Sequence, residues 1–168
     1  MGTTHEKLNL RLECLEENTT CLDSSIGSSW DTATLASIVS IWCLSDFVAE
    51  ATSRYPLLLA DLIDSGDLKR VYDDNSLENN LSAKLEGAHC EGDLIRILRL
   101  FRRREMSRIV WRDLLCLSTM EQTTRDMSLL AGTCIDQALT WLHQDCCQKW
   151  GTPYGRDSGL PQRMAVLG

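Results

Sequence analysis

The stretch DLIRILRLFRRREMSRIVWRDLLCL, Asp93 to Leu117, contains neither glycine nor proline. Leu94, Ile97, Leu98, Phe101, Ile109, Val110, Leu114 and Leu117 recur along it at helical spacing, the pattern of an α-helix with one buried face. Good helix formers fill most other positions, so one long helix is expected from Asp93 to about Leu117. A second begins near Thr119, with Glu121 and Asp126 early and Lys149 late, the order of charge that suits a helix dipole. Its apolar stripe is Met127, Leu130, Cys134, Ala138, Trp141, Leu142 and Cys146, and Gly151-Thr152-Pro153 stops it. The connection Ser118 to Met120 is too short for anything but a hairpin. The two long helices are therefore expected to lie antiparallel, with Trp111 near the turn.

Outward from this pair, helices are expected almost everywhere upstream. From Thr32 the residues Leu35, Ile38, Val39, Trp42, Cys43, Phe47 and Val48 recur at helical spacing as far as Tyr55-Pro56, where proline disfavours helical geometry in the residue before it. Leu57 to about Asp64 reads as a short helix stopped by Ser65-Gly66, and Ser76 as the cap of another reaching about Glu86, with Gly87 and Gly92 bracketing its exit. Residues 1–31 read as a weakly structured leader, because Asn18-Thr19-Thr20 and the serines around Gly27 favour local side-chain to backbone bonds. Downstream, 154–161 is a Gly, Ser and Pro loop, and 162–168 reads as a buried strand arriving at Gly168. The fold class is thus all-α, a helical bundle over 32–153. A lone terminal strand has no partner within it, so the chain reads as cut between two domains.

Composition narrows the function. The chain has 168 residues, 43% of them hydrophobic, and a net charge of -7, which argues against a general nucleic-acid or membrane binder. Up to Asp93 there are 17 acidic and 6 basic residues, and beyond it 7 and 11, so an acidic front half precedes a basic helical segment. No apolar run reaches the ~18 residues of a membrane span. The eight cysteines show no regular spacing and no C-x-x-C pair, and His5, His89 and His143 lie at no metal-like spacing from them. Reduced thiols in a cytoplasmic protein, with no metal site, are the expectation.

The arginines of the first long helix are the candidate functional residues. Successive residues turn by about 100°, so Arg102, Arg103 and Arg104 cannot form one clamp. Arg104, Arg108 and Arg112 share one stripe, and Arg99 and Arg103 another. Glu105 and Asp113 are placed to answer them. Interhelix and interdomain ion pairing is the first reading of these arginines, and contact with phosphate the second. The five tryptophans read as core or interface anchors.

The run Leu98 to Asp113 is similar to the arginine-rich helix of the glutamine synthetase adenylyltransferase and adenylyl-removing family. Ser45-Asp46-Phe47-Val48, Trp141-Leu142 through Cys146-Cys147 to Trp150-Gly151-Thr152-Pro153, and Val166-Leu167-Gly168 match it in order. The resemblance covers about Leu44 to Gly168 and places the chain at the start of the adenylyl-removing half of a bifunctional nucleotidyltransferase. It implies that Gly168 is the first glycine of a phosphate-handling loop, followed by paired aspartates that hold Mg2+, with ATP and ADP as nucleotides. It also implies removal of AMP from a tyrosine of glutamine synthetase by phosphorolysis to ADP, addition of AMP by the other half, and control by the PII signal protein in nitrogen metabolism. No catalytic residue is assigned within these 168 residues, so the chain alone is expected to be inactive and to need the remainder of its own protein as a partner. The alternative is a free-standing helical protein-interaction module.

Overall fold

A computed structural model describes Glu6, Asn9 and Glu13, then residues 30–164 and Val166. Among these the structure is helical: α1 Thr32–Leu44, α2 Asp46–Arg54, α3 Pro56–Asp64, α4 Ser76–Leu85, α5 Glu91–Leu114 and α6 Met120–Trp150. The leader expected over 1–31 lies largely outside the described residues. The strand expected over 162–168 includes Ala165, Leu167 and Gly168, which also lie outside them.

The helix expected from Thr32 to Tyr55 is in fact two. Ser45 is extended (φ -136, ψ 106); its N–H closes on the Ile41 carbonyl at 2.8 Å while its Oγ accepts from the Val48 N–H at 3.3 Å. One residue thus ends α1 and caps α2, while the apolar spacing runs through the break and hides it. The break turns α2 back onto α1. Trp42 Nε1 then donates to Thr52 Oγ1 at 2.8 Å, and that hydroxyl donates to the Val48 carbonyl at 2.7 Å. Pro56 opens α3 at a position where its missing N–H costs nothing. Gly92, expected outside the first long helix, sits in the first turn of α5, where backbone N–H groups have no intrahelical partner to lose.

The chain divides into two compact units, Met1–Val71 with Arg103–Met127, and Tyr72–Arg102 with Ser128–Gly168. In the first, Ile38, Ile41, Trp42, Val48, Ala49, Leu59, Leu62, Leu68 and Trp111 form the core, with Trp30, Val110 and Leu114 packed on it. In the second, the buried apolar residues are Tyr72, Leu94, Phe101, Leu130 and the one-face row Leu77, Leu81 and Leu85 of α4. The stripe expected on α6 is buried less than its spacing suggests, for Leu130 is enclosed while Met127 is 45% exposed and Cys146 lies on the surface. A helix of 31 residues is about 46 Å long at 1.5 Å per residue, more than the shorter helices of the chain can face.

The hairpin joining α5 to α6 is antiparallel. Asp113 accepts from Thr123 Oγ1 at 2.8 Å and Asp126 from Arg108 Nη2 at 3.0 Å, so one helix descends as the other ascends. In the second unit the Lys149 ammonium is raised above its ordinary pKa, chiefly by donating to Asp145 and in small part by Glu91 at the opposite end of α5. The turn itself is a Schellman motif, with Leu117 N–H on the Arg112 carbonyl at 2.8 Å and Cys116 N–H on Asp113 at 3.0 Å. Its left-handed residue is Cys116 (φ 54) rather than glycine. A left-handed L-residue costs about 1–2 kcal/mol, of which glycine returns part as unfolded-state entropy. Cys116→Gly is therefore expected to stabilise the chain by about 0.5–1 kcal/mol in urea unfolding, and a loss of stability would show that the exposed thiol makes a contact of its own.

Candidate functional site

The first unit encloses charge rather than excluding it. Glu105 and Arg108 are fully buried, Arg112 is 3% exposed and Asp67 6%, although charged side chains are rarely enclosed unless paired. Their elements explain how they meet. Arg104, Arg108 and Arg112 lie at four-residue spacing on one face of α5. Opposite them runs the connection after α3, where Gly66 (φ 71) turns the chain and Leu68 plugs into the core. With Leu68 anchored, Asp67 and the carbonyls of Leu68 and Arg70 face the arginines.

Arg104 spreads its guanidinium over several partners. It meets Asp61 through Nε, Asp67 through Nη2 at 2.7 Å, Glu105 through Nη1 at 2.5 Å and Ser65 Oγ at 3.3 Å. Glu105 then passes its other oxygen to Arg108 Nε at 3.0 Å, and Arg108 reaches Asp126 at 3.0 Å and the Arg70 carbonyl at 3.4 Å. Among the described residues Arg112 makes no carboxylate contact. It donates to the carbonyls of Leu68 at 3.1 Å and Leu117 at 3.0 Å, clamping the α3 exit loop and the α5–α6 turn to one side chain. Burial pulls the Arg112 pKa below its ordinary value, the nearby Arg108 cation adds to that, and Asp126 opposes it. An arginine stays charged regardless. Among the described residues no buried side-chain nitrogen or oxygen lacks a hydrogen-bond partner, the condition under which such a network holds rather than weakens a fold.

The chemistry available here is fastening. Each carboxylate of the cluster, Asp61, Asp67, Glu105 and Asp126, is engaged by a guanidinium, and no described group of three or more His, Cys, Asp or Glu is placed to hold a metal ion. Cys43, Cys90, Cys116, Cys146 and Cys147 are free thiols. His143 is half-buried, its Nε2 3.5 Å from Cys147 Sγ on the next turn of α6.

The arginine candidates thus separate. Arg104, Arg108 and Arg112 come together in this network. Arg103 instead lies over the Tyr55 ring at 4.4 Å, Arg99 is exposed in the second unit, and Gly168 lies outside the described residues. Sequence reading singled out Glu105 and missed Asp61 and Asp67. These two stand 43 and 37 residues before Arg104, beyond the reach of any local periodicity; the only local signal is the glycine that precedes Asp67.

A family model described as glutamate-ammonia ligase adenylyltransferase matches residues 35–168. A Pseudomonas aeruginosa protein, bifunctional glutamine synthetase adenylyltransferase/adenylyl-removing enzyme, is 43% identical over 140 residues, which is 83% of this chain and 14% of that protein. Proteins of the same description from Nitrosococcus oceani and Hahella chejuensis are 44% identical over 135 residues and 42% over 130, covering 80% and 77% of this chain and 14% and 13% of their own lengths. The chain spans about one seventh of the curated relatives it matches.

Proposed function

This chain belongs to the glutamate-ammonia ligase adenylyltransferase family, and on that premise we propose that it is a helical scaffold segment of a bifunctional enzyme that adds AMP to, and removes it from, glutamine synthetase. Within that enzyme it serves the adenylyl-removing half, in which phosphate attacks the AMP phosphorus and releases ADP and a free tyrosine. Mg2+ and the nucleotide are held by residues outside the 168 present here, and the PII signal protein is a regulatory partner of the whole enzyme. The observation that carries the scaffold role is the buried cluster. Three arginines on one face of α5, which in another setting would make a phosphate clamp, are committed to four carboxylates and three backbone carbonyls of their own unit.

The chain's own contribution is therefore rigidity, since a catalytic domain held by a stiff support keeps the reacting groups in line. The test compares the 168-residue chain with a full-length family enzyme in which these residues replace the matching segment. Phosphate-dependent release of ADP from adenylylated glutamine synthetase is expected from the full-length enzyme and absent from the short chain. Release by the short chain would overturn the assignment of chemistry to other residues. A folded but silent full-length enzyme would overturn the family role for this segment.

A further inference from the structure

One arginine of α5 is unlike its neighbours. Arg103 is half-buried, and among the described residues its guanidinium has no ion-pair or hydrogen-bond partner; it rests over the Tyr55 ring at 4.4 Å. A guanidinium lying over a ring uses its face and leaves its N–H edges available. Those edges border a cavity of about 170 Å³ lined by Phe47, Glu50, Ala51, Arg54, Tyr55 and Arg103, all in the first unit. Arg54 is the second cation there. Its pairing with Glu50, at 3.5 Å with both side chains about two-thirds exposed, is of the weak surface kind that an incoming anion displaces. Phe47 is 48% exposed and Tyr55 37%, so two aromatic rings stand at the same opening.

We propose that this cavity is a binding site for a phosphorylated aromatic ring. Two guanidiniums match the charge of a phosphate monoester, about -1.5 to -2 at neutral pH, better than that of a single carboxylate, and each can grip it with paired donors. Phe47 and Tyr55 supply the apolar flanks that a planar ring needs. The cavity is smaller than the ~300–1,000 Å³ of drug-sized sites, which selects one ring with its phosphate and leaves anything larger in solvent. The site is independent of the buried cluster and of the scaffold role.

The experiment is a titration of the 168-residue chain with phenyl phosphate, inorganic phosphate and AMP, read from the backbone amide shifts of Glu50, Ala51 and Tyr55 and from the Arg103 Nε–H. Phenyl phosphate is expected to saturate these shifts and to bind at least about tenfold more tightly than inorganic phosphate. Arg103→Met should weaken it by about tenfold or more, the loss of charge-assisted bonds, while Arg99→Met leaves it unchanged. AMP, whose phosphate sits on the ribose and not on its ring, tests the size limit: weaker binding than phenyl phosphate is expected, and equal or tighter binding would overturn the choice of a single phosphorylated ring. Should Arg103→Met fail to fold, Arg54→Met, whose side chain is 68% exposed, reads the same contact. Equal affinity for phenyl phosphate and inorganic phosphate, no saturable shift, or full affinity in a folded arginine variant would overturn the proposal.

Discussion

Glu105→Leu is expected to destabilise the chain by about 3–5 kcal/mol, the cost of leaving buried charge without its partner. Glu105 joins Arg104 at 2.5 Å to Arg108 at 3.0 Å, and neither its side chain nor that of Arg108 is exposed at all. Removing the carboxylate leaves the enclosed Arg108 guanidinium without the acceptor at its Nε, while Asp126 still faces its Nη2 at 3.0 Å. Arg108→Met should cost a similar amount, for the reverse reason. The double variant should cost clearly less than the two added together, because a leucine and a methionine can pack where an ion pair stood. Urea unfolding of the four proteins measures the coupling. Since the pair is out of water, 1 M salt should change the single costs little, whereas a surface pair would be screened away. Single costs below about 1 kcal/mol, or costs that vanish in salt, would mean that the cluster is wetter than its geometry.

The same residues show what a sequence can and cannot disclose. Both long helices were legible, since 24 and 31 residues give a helical period many turns in which to declare itself. Their antiparallel hairpin followed from a short connection. The division at Ser45 was not legible, because Phe47 continues the four-residue spacing of Val39 and Cys43, and the Ser-Asp pair that signals a cap is easily masked inside such a run. Burial on α6 was overread for a related reason. Periodicity shows which face would be buried, not whether a neighbour is present to bury it, and Met127 and Ile135 remain 45% and 46% exposed.

The arginine helix falls between these cases. Its stripes could be placed by counting, and Arg104, Arg108 and Arg112 do share one face. What distinguishes them from Arg103, one position away, is the supply of carboxylates and carbonyls from the loop after α3, which only the tertiary fold brings near. Cys116 is a smaller instance. Glycine is the usual sign of a Schellman turn, and a cysteine there gave no warning that the helix would stop at Leu114.

Trp42→Ala is expected to cost about 3–5 kcal/mol, as the truncation of a buried aromatic side chain does. Trp42 is 1% exposed and sits in the core with Ile38, Ile41, Val48 and Leu59. Its loss opens a cavity at the place where α2 folds back on α1, and it removes the 2.8 Å bond to Thr52. Trp42→Phe separates the two effects. It keeps most of the packing and leaves Thr52 bonded to the Val48 carbonyl, so about 1–2 kcal/mol is expected, made of one hydrogen bond and the smaller ring. Thr52→Val in the phenylalanine background should then add little beyond its own loss of the Val48 bond. Met120→Ala is the control: that side chain is 85% exposed at the start of α6, and its removal should stay within about 0.5 kcal/mol. Guanidinium unfolding followed by far-UV circular dichroism reads all four. A Trp42→Ala cost no larger than that of Met120→Ala would show that α1 and α2 do not share a core, and the break at Ser45 would lose its structural purpose.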